Sequence, residues 1–159
     1  MNDDVVLAME DPRGAAGAAL IGELTELLGA LYPEDSDEIA VPWTVDDIAR
    51  AGAFVVARAG GEPAGCAGLA PMALERTLEI VRMYVRPGFR GRRIADRLLA
   101  ALEAAAQARG AQVLMLRCGP RQPEALKVYE RNGYVRREPF AHHRAHPTNV
   151  FYEKRLGGR

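Results

Sequence analysis

Apolar residues along the chain recur with two periods, and the switches between them mark the elements. Val5–Met9 is a short extended run closed by Asp11-Pro12. From Ala15 to Leu31, Leu20, Leu24, Leu27, Leu28 and Leu31 share one helical face, and Tyr32-Pro33 ends the pattern. Residues 33–43 are acidic, carry Pro42 and Trp43, and read as a loop. Thr44 caps a short helix with Asp46 and Asp47 in its first turn, where the helix dipole favours negative charge, and Gly52 closes it. Phe54–Arg58 and Ala64–Leu69 are strands joined by the hairpin signal Ala59-Gly60-Gly61-Glu62. Leu78–Val85 is a third strand after a turn at Glu75-Arg76, completing an antiparallel meander. Arg92–Arg109 is the clearest helix, with Ile94, Leu98, Ala101, Leu102 and Ala105 on one face and Gly110 as its stop. Val113–Leu116 reads as a strand buried on both faces. Pro123–Asn132 is a second amphipathic helix ended by Gly133, and Tyr134–Arg137 and Val150–Arg155 are closing strands. The order predicts a mixed α/β sheet with helices on both faces.

Composition narrows the function classes. The 159 residues suit one domain spanning 1–159 with a real core. Lys plus Arg equals Asp plus Glu at 21 each, so the chain is a poor general nucleic-acid binder and any basic cluster is local. Cys66 and Cys118 lie in apolar runs and read as free thiols of a reducing compartment. The acidic start Met1-Asn2-Asp3-Asp4 lacks the basic region of a signal peptide. Glu23, Thr25 and Glu26 interrupt the apolar stretch 14–32, so it does not span a membrane. The expected location is the cytoplasm.

One cluster stands out. Arg86-Pro87-Gly88-Phe89-Arg90-Gly91-Arg92-Arg93, with Arg97 beyond it, places five arginines where a strand gives way to a helix. A helix N-terminus already carries partial positive charge and unpaired N–H groups, so arginines there are unfavourable unless an anion sits among them. Gly91 lets an anion approach the backbone closely. The turn reads as a phosphate cradle, with a solvated basic helix start or a nucleic-acid contact as alternatives. It is neither a Gly-x-Gly-x-x-Gly loop nor a Gly-Lys-Ser/Thr loop.

The stretch Arg82-Met83-Tyr84-Val85 to Arg90-Gly91-Arg92-Arg93-Ile94-Ala95 and on through Leu98, Leu99, Leu102, Glu103 and Gly110 resembles motif A of the GNAT superfamily of N-acetyltransferases, whose core is Arg/Gln-x-x-Gly-x-Gly/Ala. Ala125-Leu126-Lys127-Val128-Tyr129-Glu130-Arg131-Asn132-Gly133-Tyr134 is similar to that family's next signature. The resemblance implies a GNAT-like mixed, mostly antiparallel sheet flanked by about four helices, and acetyl-coenzyme A as co-substrate without a metal. It implies that Met83, Tyr84 and Val85 pair with the pantetheine arm while Arg90, Gly91, Arg92, Arg93, Ile94 and Ala95 hold the pyrophosphate. Arg93 departs from the pattern, standing where the family has glycine. The resemblance further implies transfer to a small-molecule amine or peptide N-terminus by direct attack, with no nucleic-acid or membrane partner. A homodimer stays open, as does a non-catalytic acyl-coenzyme A-binding or regulatory module.

Side chains with chemistry follow from that frame. Tyr129 either packs its helix on the sheet or, as the resemblance implies, protonates the departing thiolate; a tyrosine arrives protonated at neutral pH. Glu79 is either the general base or a strand-edge carboxylate paired with Arg76 or Arg82, and Glu23, Glu26 and Glu38 are other candidates to line the acceptor pocket. Gln122 stands where the family has an asparagine on the pantetheine. His142, His143 and His146 lack a cysteine nearby in sequence, so the loop reads as a border of the acceptor pocket rather than a metal site. Cys66 and Cys118 have no adjacent partner that would make either an acyl carrier.

Overall fold

A computed structural model describes residues 4–33, 43–140 and 149–157. Its strands are β1 (Val5–Met9), β2 (Phe54–Ala59), β3 (Glu62–Pro71), β4 (Thr77–Val85), β5 (Val113–Cys118), β6 (Val135–Arg137) and β7 (Val150–Arg155). Its helices are α1 (Ala15–Leu31), α2 (Val45–Ala51), α3 (Ile94–Ala108) and α4 (Pro123–Arg131), with a short 3-10 turn at Pro87–Phe89. The strands form one seven-stranded sheet in the order β1-β2-β3-β4-β5-β7-β6. Every pairing is antiparallel except β4 with β5. The mixed, mostly antiparallel sheet with four described helices is the architecture the sequence predicts.

Local chemistry explains the turns. Gly60 and Gly61 both have positive φ, the conformation a tight two-residue hairpin needs to match strand twist, and they join β2 to β3. Thr44 and Asp47 close a reciprocal capping box at the start of α2, and Gly52 ends that helix left-handed. The helices cover opposite faces. Leu20, Ile21 and Leu24 of α1 and Ile48 of α2 pack with Phe54, Val56, Cys66 and Tyr84 on one face. Leu98, Leu99 and Leu102 of α3 and Tyr129 of α4 pack with Val55, Leu69, Leu114 and Tyr152 on the other. No described helix is long and apolar enough to cross a membrane.

The helix expected over Arg92–Arg109 begins later, at Ile94. Arg93 precedes it in the left-handed region, with φ 60° and ψ 25°. That conformation needs no side chain in glycine but costs about 1–2 kcal/mol in other residues. The glycine that the family pattern places here therefore has a backbone reason, which Arg93 overrides.

Asp96 in the first turn of α3 joins the two helices of this face. Its carboxylate accepts from Arg131 Nε at 2.9 Å, Arg131 Nη2 at 2.6 Å and Asn132 Nδ2 at 2.7 Å. The Arg131 hydrogen bond is the largest cause holding its pKa down, to about 2 from an ordinary 3.8. A depressed carboxylate stabilises the fold above its unfolded pKa and loses that effect as pH falls through the folded one. Asp96→Asn should cost about 1–2 kcal/mol at about pH 7, shrinking toward zero near pH 2, in denaturant unfolding of the two proteins across that range.

Candidate active site

The site begins with a break in the sheet. β4 and β5 pair only at Thr77–Val113, Leu78–Leu114 and Glu79–Met115. Beyond Glu79 they part, while β4 stays paired with β3 through Val85. A register shift opposite Cys66–Gly68 places an extra residue in β4, and Arg82 there adopts φ 59°. Tyr84 stands opposite Cys66, and the Arg86 N–H donates to the Ala64 carbonyl at 2.8 Å. Alternate residues of a strand turn their backbone groups to alternate sides. Tyr84 and Arg86 therefore serve β3, and Met83 and Val85 face the side that β5 has left.

The open edge runs into the arginine-rich turn. Gly91 has φ 86°, and the first ladder bond of α3 is from the Arg97 N–H to the Arg93 carbonyl at 3.2 Å. The N–H groups of Ile94, Ala95 and Asp96 precede that bond, so they have no intrahelical partner. Arg90 donates through Nε to the Val85 carbonyl at 3.2 Å, and Arg92 lies 5.5 Å from the Phe89 ring centroid. Arg90, Gly91, Arg92 and Arg93 are all exposed. Arg86, by contrast, is consumed by structure: it grips Glu23 with Nη2 at 2.6 Å and Nε at 3.0 Å.

Between the parted strands lies a cleft lined by Glu79, Met83, Gln122 and Tyr129 of the sequence-predicted residues. Glu79 is 3 % exposed and accepts from Trp43 Nε1 at 2.8 Å. One partner is thus an indole 36 positions away; Arg76 pairs with Glu75, while the charge of Glu79 acts favourably on Arg82. Gln122 is the N-cap residue of α4 and makes no side-chain cap bond. Tyr129 is 5 % exposed and packs edge-on to Tyr134, with ring centroids 5.9 Å apart. The other four tyrosines bond through their hydroxyls to Arg121, Glu23, Glu103 and Glu130. For Tyr129 no such hydrogen bond occurs among the described residues, and no wholly buried side-chain oxygen there lacks a partner. Its hydroxyl therefore opens to the cleft. Burial pushes its pKa well above the usual tyrosine value.

Sequence reasoning places Tyr84 and Val85 on the open strand, but the Tyr84 side chain turns to α1 and donates to Glu23 at 3.1 Å. Glu23 bonds Tyr84 and Arg86 and is absent from the cleft lining, and Glu26 is exposed. Glu38, His142, His143 and His146 lie outside the described residues. Trp43, Arg82, Arg117, Gly119 and Asn149 line the cleft without having been expected there. Gly119 is the one with a legible signal, a glycine before Pro120 between a strand and a helix. A Cβ on it would meet the Tyr32 hydroxyl at 2.0 Å.

Residues 19–134 match the acetyltransferase (GNAT) family. The chain belongs to the GNAT family. As a GNAT acetyltransferase it is an acyl-transferring enzyme, and its relatives agree. It is 36 % identical over 155 residues to an "IAA acetyltransferase" of Azospirillum brasilense, a match covering 96 % of this chain and 99 % of that one. A Klebsiella pneumoniae structure named for acyl-CoA N-acyl transfer superposes with TM-score 0.79 at 32 % identity, covering 98 % of this chain and 100 % of that one. The fold is also that of the PaiA N-acetyltransferase of Thermoplasma acidophilum, solved with coenzyme A, at TM-score 0.72, 16 % identity and coverage of 98 % and 99 %.

Cys118 lines this GNAT cleft, and burial raises its thiol to about 12; Cys66 is raised to about 12 for the same reason. The thiolate is the reactive form. Both cysteines of the native enzyme should react with iodoacetamide at about pH 8 at least about a hundredfold more slowly than free cysteine, as read by mass spectrometry, and at ordinary rates after unfolding.

Proposed function

We propose that this enzyme transfers the acetyl group of acetyl-coenzyme A to a primary amine by direct attack in a ternary complex. The observation that carries this reading is the continuity of three features: the edge at Met83 and Val85 that no strand pairs, the turn into α3, and the Tyr129 hydroxyl between the parted strands. Acetyl-coenzyme A supplies an activated thioester. Met83, Tyr84 and Val85 form the strand along which a pantetheine arm pairs, and Gln122 at the start of α4 borders its path. Arg90, Gly91, Arg92, Arg93, Ile94 and Ala95 present N–H groups and guanidinium charge to the pyrophosphate. A backbone N–H on the open edge polarises the thioester carbonyl.

Two protons have to move. A nitrogen–carbon bond forms, the carbon–sulfur bond breaks, the ammonium gives up a proton and the sulfur gains one. Glu79, buried beside Trp43, takes the first directly or through an ordered water. Tyr129 delivers the second. Burial holds its pKa above the ordinary tyrosine value, so it stands at neutral pH as the phenol, the form that can donate.

Coenzyme A and dephospho-coenzyme A should both bind the protein in calorimetric titrations with micromolar affinity; no binding below the millimolar range by either would refute the cradle. Thiol release across a panel of amines tests turnover, and tight coenzyme binding with no release would make the protein a binding module. Tyr129→Phe should lower kcat at least about tenfold while coenzyme affinity stays within about twofold. An unchanged kcat would assign Tyr129 to packing alone.

A further inference from the structure

The cleft holds two guanidinium groups that the transfer chemistry leaves without work. Arg82 sits at the β4 bulge and donates through Nη2 to the Trp43 carbonyl at 2.8 Å. Arg117 of β5 donates through Nη1 to the Asn149 side-chain oxygen at 3.0 Å. The register that sets Glu79 beside Met115 puts Arg117 two residues further along the same face of β5. Both arginines line the cleft; burial most disfavours the charge of Arg82, Glu79 favours it, and Arg117 opposes it. Their bonded partners are a neutral carbonyl and a neutral amide. Among the described residues neither forms an ion pair within salt-bridge distance, and Glu79 is the one carboxylate of the cleft lining.

Burying one guanidinium beside another is costly without an anion between them. The fold incurs a further cost at the same point, because Arg82 holds a left-handed backbone. Around these charges the wall is apolar: Leu24 and Leu28 of α1 and the Trp43 indole. The face with Glu79, Arg82 and Trp43 is the α1 face of the sheet, whereas Met83 and Tyr129 pack on the α3 side. Arginine and carboxylate form a paired, directional hydrogen-bonded unit that an amine alone cannot replace.

We propose that the acceptor is an amino acid with an apolar side chain, its carboxylate held between Arg82 and Arg117 and its amine presented to Glu79. This rests on the N-acetyl transfer reading above and adds the substrate class to it. The products are the N-acetyl amino acid and coenzyme A. The apolar side chain lies against Leu24, Leu28 and Trp43.

Trp43 is the chain's single tryptophan, so its fluorescence reports binding independently of turnover. The 159-residue protein, saturated with coenzyme A, is titrated with phenylalanine and leucine and with the matched amines phenethylamine and isoamylamine. Each amino acid should bind at least about tenfold more tightly than its amine, and kcat/KM from thiol release with acetyl-coenzyme A should show the same order. Arg117→Gln should abolish that preference, and Arg117→Lys, which keeps charge without the planar fork, should reduce it partway. Amines that bind as tightly as the amino acids, or no response of Trp43 and no acetylation with either set, would overturn the proposal. Carboxylate-dependent binding without thiol release would uphold the site and refute acetyl transfer instead.

Discussion

β4 and β5 are partners for only three residue pairs, and everything the site does depends on that brevity. A sheet normally pairs its interior strands fully, because unpaired backbone groups inside a protein are expensive. Here β3 keeps β4 in line through Val85 while β5 is drawn off by β7, its antiparallel partner along the whole of Val113–Cys118. The bulge at Arg82 supplies the bend. The result is an internal sheet edge, a row of donors and acceptors set between two packed layers. An internal edge is protected from other chains yet available to a slender ligand, which is what an extended coenzyme arm requires.

The same break divides the chemistry. On the α1 face are Glu79, Trp43 and the two arginines; on the α3 face are Met83, Tyr129 and the turn. Glu79 and Tyr129 thus approach a common gap from opposite layers. Asp96 shows the same sorting at the start of α3, where a carboxylate in the first turn is turned onto Arg131 and Asn132.

Much of this was legible in the sequence wherever the signal is local. Helical spacing marked out α1 to its observed ends, and the paired glycines located the β2–β3 hairpin. The arginine-rich turn and Tyr129 announced themselves by motif. What stayed hidden was long-range. The Glu79–Trp43 bond joins the last strand of the meander to a residue that precedes the meander, and nothing near either one records it. Arg82 was expected on β4 near Glu79 and Arg117 fell beyond the expected strand Val113–Leu116, and only the β4–β5 register brings them to one cleft. The start of α3 was misjudged by two residues because a left-handed Arg93 looks no different in a periodicity count from a helical one.

Gly119 sets a limit on how such an enzyme can change. The Tyr32 hydroxyl sits where a side chain on Gly119 would go, and it accepts the Arg121 N–H at 2.9 Å while the Arg121 guanidinium covers the Tyr32 ring. The end of α1 is thereby fastened to the loop that starts α4. Any outward swing of α1 would drag on the loop before Gln122.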